Sequence, residues 1–141
     1  MTKENMTVID LFSGAGGLSL GFSNKGFCNI FSVDIEPDSC RTYRKNFPTH
    51  TLIQKDIATL EKEDILSLTK GKKVDVIVGG PPCQGFSMAG NVGRKFIDDP
   101  RNHLFKEFAR VISILRPKIF LMENVARLYT HNNGKTKEEI L

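Results

Sequence analysis

Apolar and polar positions alternate along the chain in two rhythms, short β-rich runs and longer amphipathic stretches. Met6-Thr-Val-Ile-Asp-Leu-Phe12 is the first β-rich run, and Ser13-Gly-Ala-Gly-Gly17 interrupts it. Residues 18–25 carry a helical pattern, with Gly26 placed to stop it. Residues 29–33 predict a second strand. Pro37 suits a first helical turn, continued by residues 38–47. Residues 51–54 form a short third strand, and residues 60–69 a helix closed by Gly71. Residues 74–78 are the most apolar run to that point, so this fourth strand is expected to be central. Apolar side chains at 104, 105, 108, 111, 112 and 115 make a helical stripe within 102–115. Pro117 then leads into a fifth strand, residues 118–122.

This β-α-β-α-β-α-β-α-β order predicts an α/β fold, a mostly parallel sheet with helices on both faces. The length of 141 residues fits one domain, 1–141. Two segments stand outside the pattern. Residues 79–101 are too long for a passive connection, and their Gly, Ser, Asn and paired Asp residues suit a lid. Residues 124–141 begin another crossover and stop without a returning strand, which would leave the edge of the fifth strand unprotected. The expectation is a piece of a longer protein, truncated after the fifth strand.

Composition narrows the class. At 40% hydrophobic and 26% charged the chain is ordinary globular protein, without repeats or low-complexity segments. No apolar run approaches the ~20 residues that span a bilayer, so no membrane association is expected. No signal-peptide core precedes the first strand, and three cysteines cannot all pair. Both point to a reducing, cytoplasmic setting. Cys28 and Cys40 are expected to pack as small apolar groups. The net charge of +4 is uneven: residues 1–70 hold 8 Lys/Arg against 9 Asp/Glu, residues 71–141 hold 12 against 7. A basic second half suits a polyanion or is simply a solvated lysine-rich surface.

Three unusual loops follow strands one, four and five. In a doubly wound sheet with the first strand central, these loops crowd together where the winding reverses. The first is Asp10-Leu-Phe-Ser-Gly-Ala-Gly-Gly17, whose glycines allow backbone to approach a ligand at a helix start. Asp34, 20 residues beyond Gly14, has the spacing of a ribose-binding carboxylate, or of a helix-capping one. The dinucleotide fingerprint itself fails, because Ser19 stands where glycine or alanine is needed. The second loop is Gly79-Gly-Pro-Pro-Cys83-Gln-Gly-Phe-Ser87. Two prolines fix the backbone ahead of Cys83, the placement a nucleophile needs. The third is Glu123-Asn124-Val125. A half-buried Glu123 there would have a raised pKa and could act as an acid. The histidines (His50, His103, His131) lack metal-ligand spacing.

Together these segments resemble the catalytic domain of the cytosine-C5 DNA methyltransferases, with its Rossmann-like fold. Asp10-Leu-Phe-Ser-Gly-Ala-Gly-Gly17 resembles the family's S-adenosylmethionine loop, Gly80-Pro-Pro-Cys-Gln-Gly-Phe-Ser87 its nucleophile loop, and Glu123-Asn-Val125 its acid motif. The chain covers only the N-terminal part of that pattern. It lacks a Gln-Arg-Arg motif, a target-recognition region and the C-terminal segment that closes the cofactor site. The resemblance implies catalytic roles for Cys83 and Glu123, with Asn124 bracing the nucleophile loop. It implies cofactor contacts from Phe12, Gly14, Ala15, Gly17, Asp34, Ile35, Asp56, Ile57, Pro82 and Leu104, with Phe12, Ile35, Asp56 and Ile57 about the adenine. Taken without the resemblance, Phe12, Ile57 and Leu104 read as core.

The implied reaction is methyl transfer from S-adenosyl-L-methionine to C5 of cytosine through a covalent Cys83 adduct. The partner is duplex DNA with the cytosine flipped out. Residues 84–101, with Arg94, Lys95 and Arg101, are expected either to close over the nucleotide or to be an incidentally charged loop. The setting is restriction–modification, in the bacterial cytosol or nucleoid, or the nucleus of a eukaryote. The chain alone is expected to be inactive and to need a complementary chain. Three alternatives stay open: tRNA cytosine-C5 methylation, a non-catalytic subunit of a split methyltransferase, and, least compatible with the Pro-Pro-Cys-Gln run, an NAD-type dehydrogenase.

Overall fold

The computed structural model describes residues 5–82, 103–124 and Glu138. Its elements are β1 (Thr7–Leu11), α1 (Gly17–Asn24), β2 (Cys28–Asp34), α2 (Pro37–Asn46), β3 (Leu52–Gln54), a 3₁₀ turn (Ile57–Thr59), α3 (Lys62–Leu68), β4 (Val76–Gly79), α4 (Leu104–Leu115) and β5 (Ile119–Met122). The strands form one all-parallel sheet in the order β3-β2-β1-β4-β5. The alternating α/β reading is therefore realised. The middle strand is β1; β4 has a neighbour on each side but lies one place off centre. Its apolar run reflects burial on both faces, and any interior strand of a parallel sheet meets that condition.

Side chains alternate across the sheet, which builds two cores. Ile9, Leu11, Val33 and Ile77 pack with Ile57, Leu60, Ile65, Phe108 and Val111 in the main core. Val8, Val76 and Val78 pack with Leu18, Phe22 and Phe27 of the α1 hairpin in a smaller one. The predicted stripe on α4 is real: Phe105, Phe108 and Val111 are its buried residues. Arg116 takes a left-handed conformation after it (φ +45°), and Pro117 forbids continuation.

Three local differences have simple causes. Helix α3 starts at Lys62 because Glu61 and Asp64 form a reciprocal cap there. Ahead of it, the Asp56 carboxylate accepts the Ala58 N–H at 3.0 Å and nucleates the 3₁₀ turn, which the hydrophobic pattern does not signal. Cys40 is buried as expected, but Cys28 is exposed, because it opens β2 at the rim before the strand enters the core. At the far side of the sheet β5 exposes Ile119, Phe120 and Leu121. Among the described residues no helix is long and apolar enough to cross a membrane. Cys83, Val125, the expected lid over 84–101 with Arg94, Lys95 and Arg101, and, apart from Glu138, the crossover over 125–141 with His131 lie outside the described residues.

Candidate functional site

The carboxyl ends of the strands bring the predicted residues into one row. Strand order runs β3-β2-β1-β4-β5, so Asp56 follows β3, Asp34 closes β2, Phe12–Gly17 follow β1, Gly80–Pro82 follow β4 and Glu123 follows β5. Neighbouring strands lie about 4.8 Å apart, so the segments after β1 and β4 adjoin at the reversal, those after β2 and β5 lie one strand further out and that after β3 two strands out.

The glycine loop is held by carboxylates from below. Phe12, Gly14 and Gly16 all have positive φ, of 58°, 56° and 99°. A phenylalanine in that region is strained and persists only where its surroundings enforce it. Here the Ser13 N–H donates to the Val33 carbonyl at 3.0 Å, and the Gly14 N–H donates to Asp34 Oδ2 at 2.7 Å. At the start of α1 no side chain of the N-cap residue Gly16 can cap; Asp10 of β1 does so instead. Its Oδ2 accepts both the Ser19 N–H (3.0 Å) and the Ser19 hydroxyl (2.6 Å). Ser19, which breaks the dinucleotide fingerprint, is thus what the Asp10 carboxylate requires. Burial raises Asp10 from the ordinary carboxylate range to about 6, against the lowering effect of the two Ser19 hydrogen bonds, and Asp34 adds a smaller upward push.

The glycines serve different ends. A Cβ at Gly14 or Gly17 would meet nothing within 4 Å, so the backbone there faces open space. A Cβ at Gly16 would come within 2.4 Å of Phe47 and 3.0 Å of Tyr43, so Gly16 seats the loop on α2. A Cβ at Gly79 would lie 2.3 Å from the Leu11 carbonyl oxygen, and one at Gly80 would lie 3.1 Å from Glu123 Oε2. The acid therefore sits against the first residue of the Gly80-Pro-Pro run, with its N–H bonded to the Gly79 carbonyl at 2.9 Å.

Asp34 uses both oxygens, since Oδ1 accepts the Glu36 N–H at 2.8 Å; each keeps a lone pair for a ligand hydroxyl. Ile35 beside it is 60% exposed, available to a flat apolar partner. Pro82 is exposed and Leu104 half-buried, as is Phe12, which also packs against the main core. Ile57 is 3% exposed within that core, and its carbonyl accepts from Arg110 at 2.9 Å, so the structure ties it to α4. Asn124 is half-buried. Glu123 is exposed where half-burial was expected, because it leaves the sheet from the outermost described strand. Sequence reasoning gave no individual role to Gly16, Ser19, Tyr43 or Gly79; only packing reveals why each is needed. Ser13 Oγ and Asp10 Oδ1 are buried polar atoms without a partner.

Known proteins share this fold. The chain is 62% identical over 136 residues to the type II methyltransferase M1.HphI of Haemophilus parahaemolyticus, covering 96% of this chain and 37% of that protein. It is 42% identical over 136 residues to the type II methyltransferase M.AquIA of Picosynechococcus, covering 95% of this chain and 54% of the relative. A crystal structure of a prophage-encoded DNA modification methyltransferase from E. coli superposes with a TM-score of 0.82 at 39% identity, covering 96% of this chain and 36% of that one. A Spodoptera frugiperda DNMT2 variant superposes with a TM-score of 0.71 at 26% identity, covering 97% and 40%. The chain spans little more than a third to about half the length of these proteins. Residues 6–141 match the C-5 cytosine-specific DNA methylase family throughout, and the chain belongs to that family.

Proposed function

We propose that this chain supplies the cofactor seat, the nucleophile and the acid of an enzyme that methylates C5 of cytosine in DNA. The observation that carries this reading is the contact of the Glu123 carboxylate with Gly80, at the head of the run leading to Cys83 and one strand from the glycine loop. The residues present fit S-adenosyl-L-methionine. Open space over Gly14 and Gly17, the unpartnered Ser13 hydroxyl, the free lone pairs of Asp34 and the exposed Ile35 offer a polar cradle with an apolar flank. Asp10 and Asp34 lie behind the loop, and their negative charge favours a cationic ligand. When bound, that cofactor supplies an electrophilic sulfonium methyl.

The chain's own groups act on the base. The Cys83 thiolate adds to C6 of a flipped cytosine and shifts electron density to C5, which is then able to take a methyl group. Glu123, protonated, holds N3 and offsets the charge that develops there. Loss of the C5 proton to a base, with rupture of the C6–sulfur bond, restores the ring and frees Cys83. Asn124 braces the nucleophile loop, Phe12, Ile35 and Asp56 border the adenine, and Pro82 and Leu104 line its pocket. Duplex DNA is the partner and the bacterial cytosol is the setting.

A tritiated-methyl transfer assay tests this, run on the longest natural form of the chain with cytosine-containing duplex DNA and, in parallel, tRNA. Cys83→Ser is expected to abolish transfer to DNA while cofactor binding changes only several-fold. Transfer by the serine variant at the original rate overturns the covalent mechanism, and transfer to tRNA alone overturns the choice of substrate.

A further inference from the structure

Beneath the glycine loop lies a hydrogen-bonded chain that the proposed chemistry does not use. Ser19 Oγ is 2.9 Å from the Tyr43 hydroxyl. That hydroxyl is also 2.7 Å from Ser32 Oγ and 3.0 Å from His50 Nδ1. Ser32 Oγ in turn accepts from Asn29 Nδ2 at 2.9 Å. Ser19 and Ser32 are fully buried, the Tyr43 side chain is buried and His50 is half-buried, so the chain runs from the sheet to the surface.

Proton counting fixes its direction. Ser19 has one hydroxyl proton and gives it to the Asp10 carboxylate, so it must accept from Tyr43. Tyr43 has then spent its proton, and both Ser32 and His50 must donate to its oxygen. His50 therefore carries a proton on Nδ1 whenever Asp10 is charged. The same tyrosine supports the loop sterically: its ring and the neighbouring Phe47 ring (centroids 4.8 Å apart) form the floor against which Gly16 rests. Phe47 stacks on His50 at 4.8 Å and 20°.

We propose that Tyr43 is a positioning residue for the cofactor loop, and that through its hydroxyl the loop is coupled to His50 at the surface. The proposal rests on the reading of the glycine loop as the cofactor seat. Its hydroxyl holds Ser19 in the orientation that clasps Asp10, and this clasp fixes the first turn of α1 behind Gly14–Gly17. Protonating Asp10 converts a charge-assisted clasp into a neutral one, about half as strong, and reverses the proton order out to His50. The titratable groups facing this chain are Asp10 of β1, Asp34 of β2, Tyr43 of α2 and His50 beyond it. Burial lifts Asp10 to about 6 and lowers His50, so both ends respond in weakly acid solution. Loop order, and with it cofactor affinity, then falls together with pH.

The test is Tyr43→Phe, which keeps the ring under Gly16 and deletes only the hydroxyl. Three readouts are used on the longest natural form: calorimetric binding of S-adenosylhomocysteine from pH 5.5 to 8, the His50 tautomer by ¹⁵N NMR, and steady-state methylation kinetics. The wild type is expected to show the Nδ1–H tautomer at pH 7.5 and binding that weakens below pH 6. The variant is expected to bind about tenfold more weakly at pH 7.5, the worth of one hydrogen bond. Its His50 tautomer should move to Nε2–H, and its kcat at saturating cofactor should hold within about twofold while KM rises. Equal affinity in both proteins, or an Nε2–H tautomer in the wild type, overturns the proposal. Should Tyr43→Phe not fold, His50→Leu removes the outer donor together with the ring stacked on Phe47; it must weaken binding and flatten the pH response, and unchanged binding overturns the coupling. A wild type that binds no S-adenosylhomocysteine counts against the cofactor reading instead, and the tautomer then judges the hydrogen-bonded chain by itself.

Discussion

At the amino ends of β1, β4 and β5, Thr7, Asp75 and Lys118 form a closed polar knot. Toward the carboxyl ends, Asp10 and Ser13 each keep a buried oxygen without a partner. In the knot, Asp75 Oδ2 accepts the Thr7 N–H at 2.9 Å and Oδ1 pairs with Lys118 Nζ at 2.6 Å. Thr7 Oγ donates to the Lys73 carbonyl at 2.7 Å and accepts the Asp75 N–H at 2.9 Å. The backbone N–H groups of Lys118 and Ile119 both reach the Asp75 carbonyl. The Lys118 hydrogen bond, with the Thr7 N–H second, holds the Asp75 carboxyl below its usual range, whereas burial lifts Asp10 to about 6. The knot has used its polar groups on itself, although Asn29 Oδ1 nearby in β2 is buried without a partner. The other end of the sheet holds charge, strained backbone and unspent hydrogen-bonding capacity in readiness for a ligand, the preorganisation that electrostatic catalysis needs.

The contrast is open to attack from both ends. The largest effect is expected at Glu123: Glu123→Gln keeps the shape but cannot give up a proton, so single-turnover methylation should slow by about 10²-fold or more. An unchanged rate constant makes the acid end structural. Next is Gly16→Ala, which combines a forbidden φ with a Cβ 2.4 Å from Phe47. It should destabilise by about 2–3 kcal/mol in denaturant titrations, and Gly14→Ala, strained but unobstructed, by about 1 kcal/mol. Equal costs would mean that α2 gives way and is no rigid floor.

Asp10→Asn acts in the opposite direction. The folded pKa of Asp10 lies above its unfolded value, so the fold binds the proton more tightly and stability falls as pH rises between about 4 and 6. Asparagine removes that cost, and should stabilise the fold at pH 7 by about 2 kcal/mol and flatten its pH dependence in that window, while weakening cofactor binding. Destabilisation at pH 7 would place Asp10 with the knot, as a structural carboxylate. The smallest effect is Asp75→Asn. Asp75 is depressed, so its contribution is present above the unfolded pKa and lost as pH falls. The variant should melt lower than the parent at pH 7 and alike near pH 2, by scanning calorimetry. A difference that persists in acid would assign the knot's contribution to shape.

Much of this was legible in the chain. Five strands, four helices and the loops that carry Gly14, Asp34, Gly80 and Glu123 follow from periodicity and glycine–proline punctuation, because those signals are local. What escaped depends on neighbours distant in sequence. The need for Gly16 comes from Phe47, and that for Gly79 from Leu11 and Phe108. Ser19 looks like a defect until Asp10 is placed beneath it. Cys28 and Glu123 were misjudged for burial, since neither residue type nor strand membership says where the rim of a sheet lies. The 3₁₀ turn after Asp56 was missed because one side-chain cap, with no apolar rhythm, defines it.

Gly79 sets a manufacturing tolerance. It pairs with Leu11 on one side and Met122 on the other, and it is the last regular residue before the segment that bears the thiol. One methyl group there would need 2.3 Å of space now filled by a carbonyl oxygen. The misfit would pass into Gly80-Pro-Pro, whose fixed torsions cannot absorb it as a flexible loop would. Bond formation at carbon fails over displacements of about an ångström. A residue that touches no substrate thereby shares the intolerance of Cys83, the nucleophile proposed above, four positions on, and an error at 79 should cost both the pairing with Leu11 and the placement of that loop.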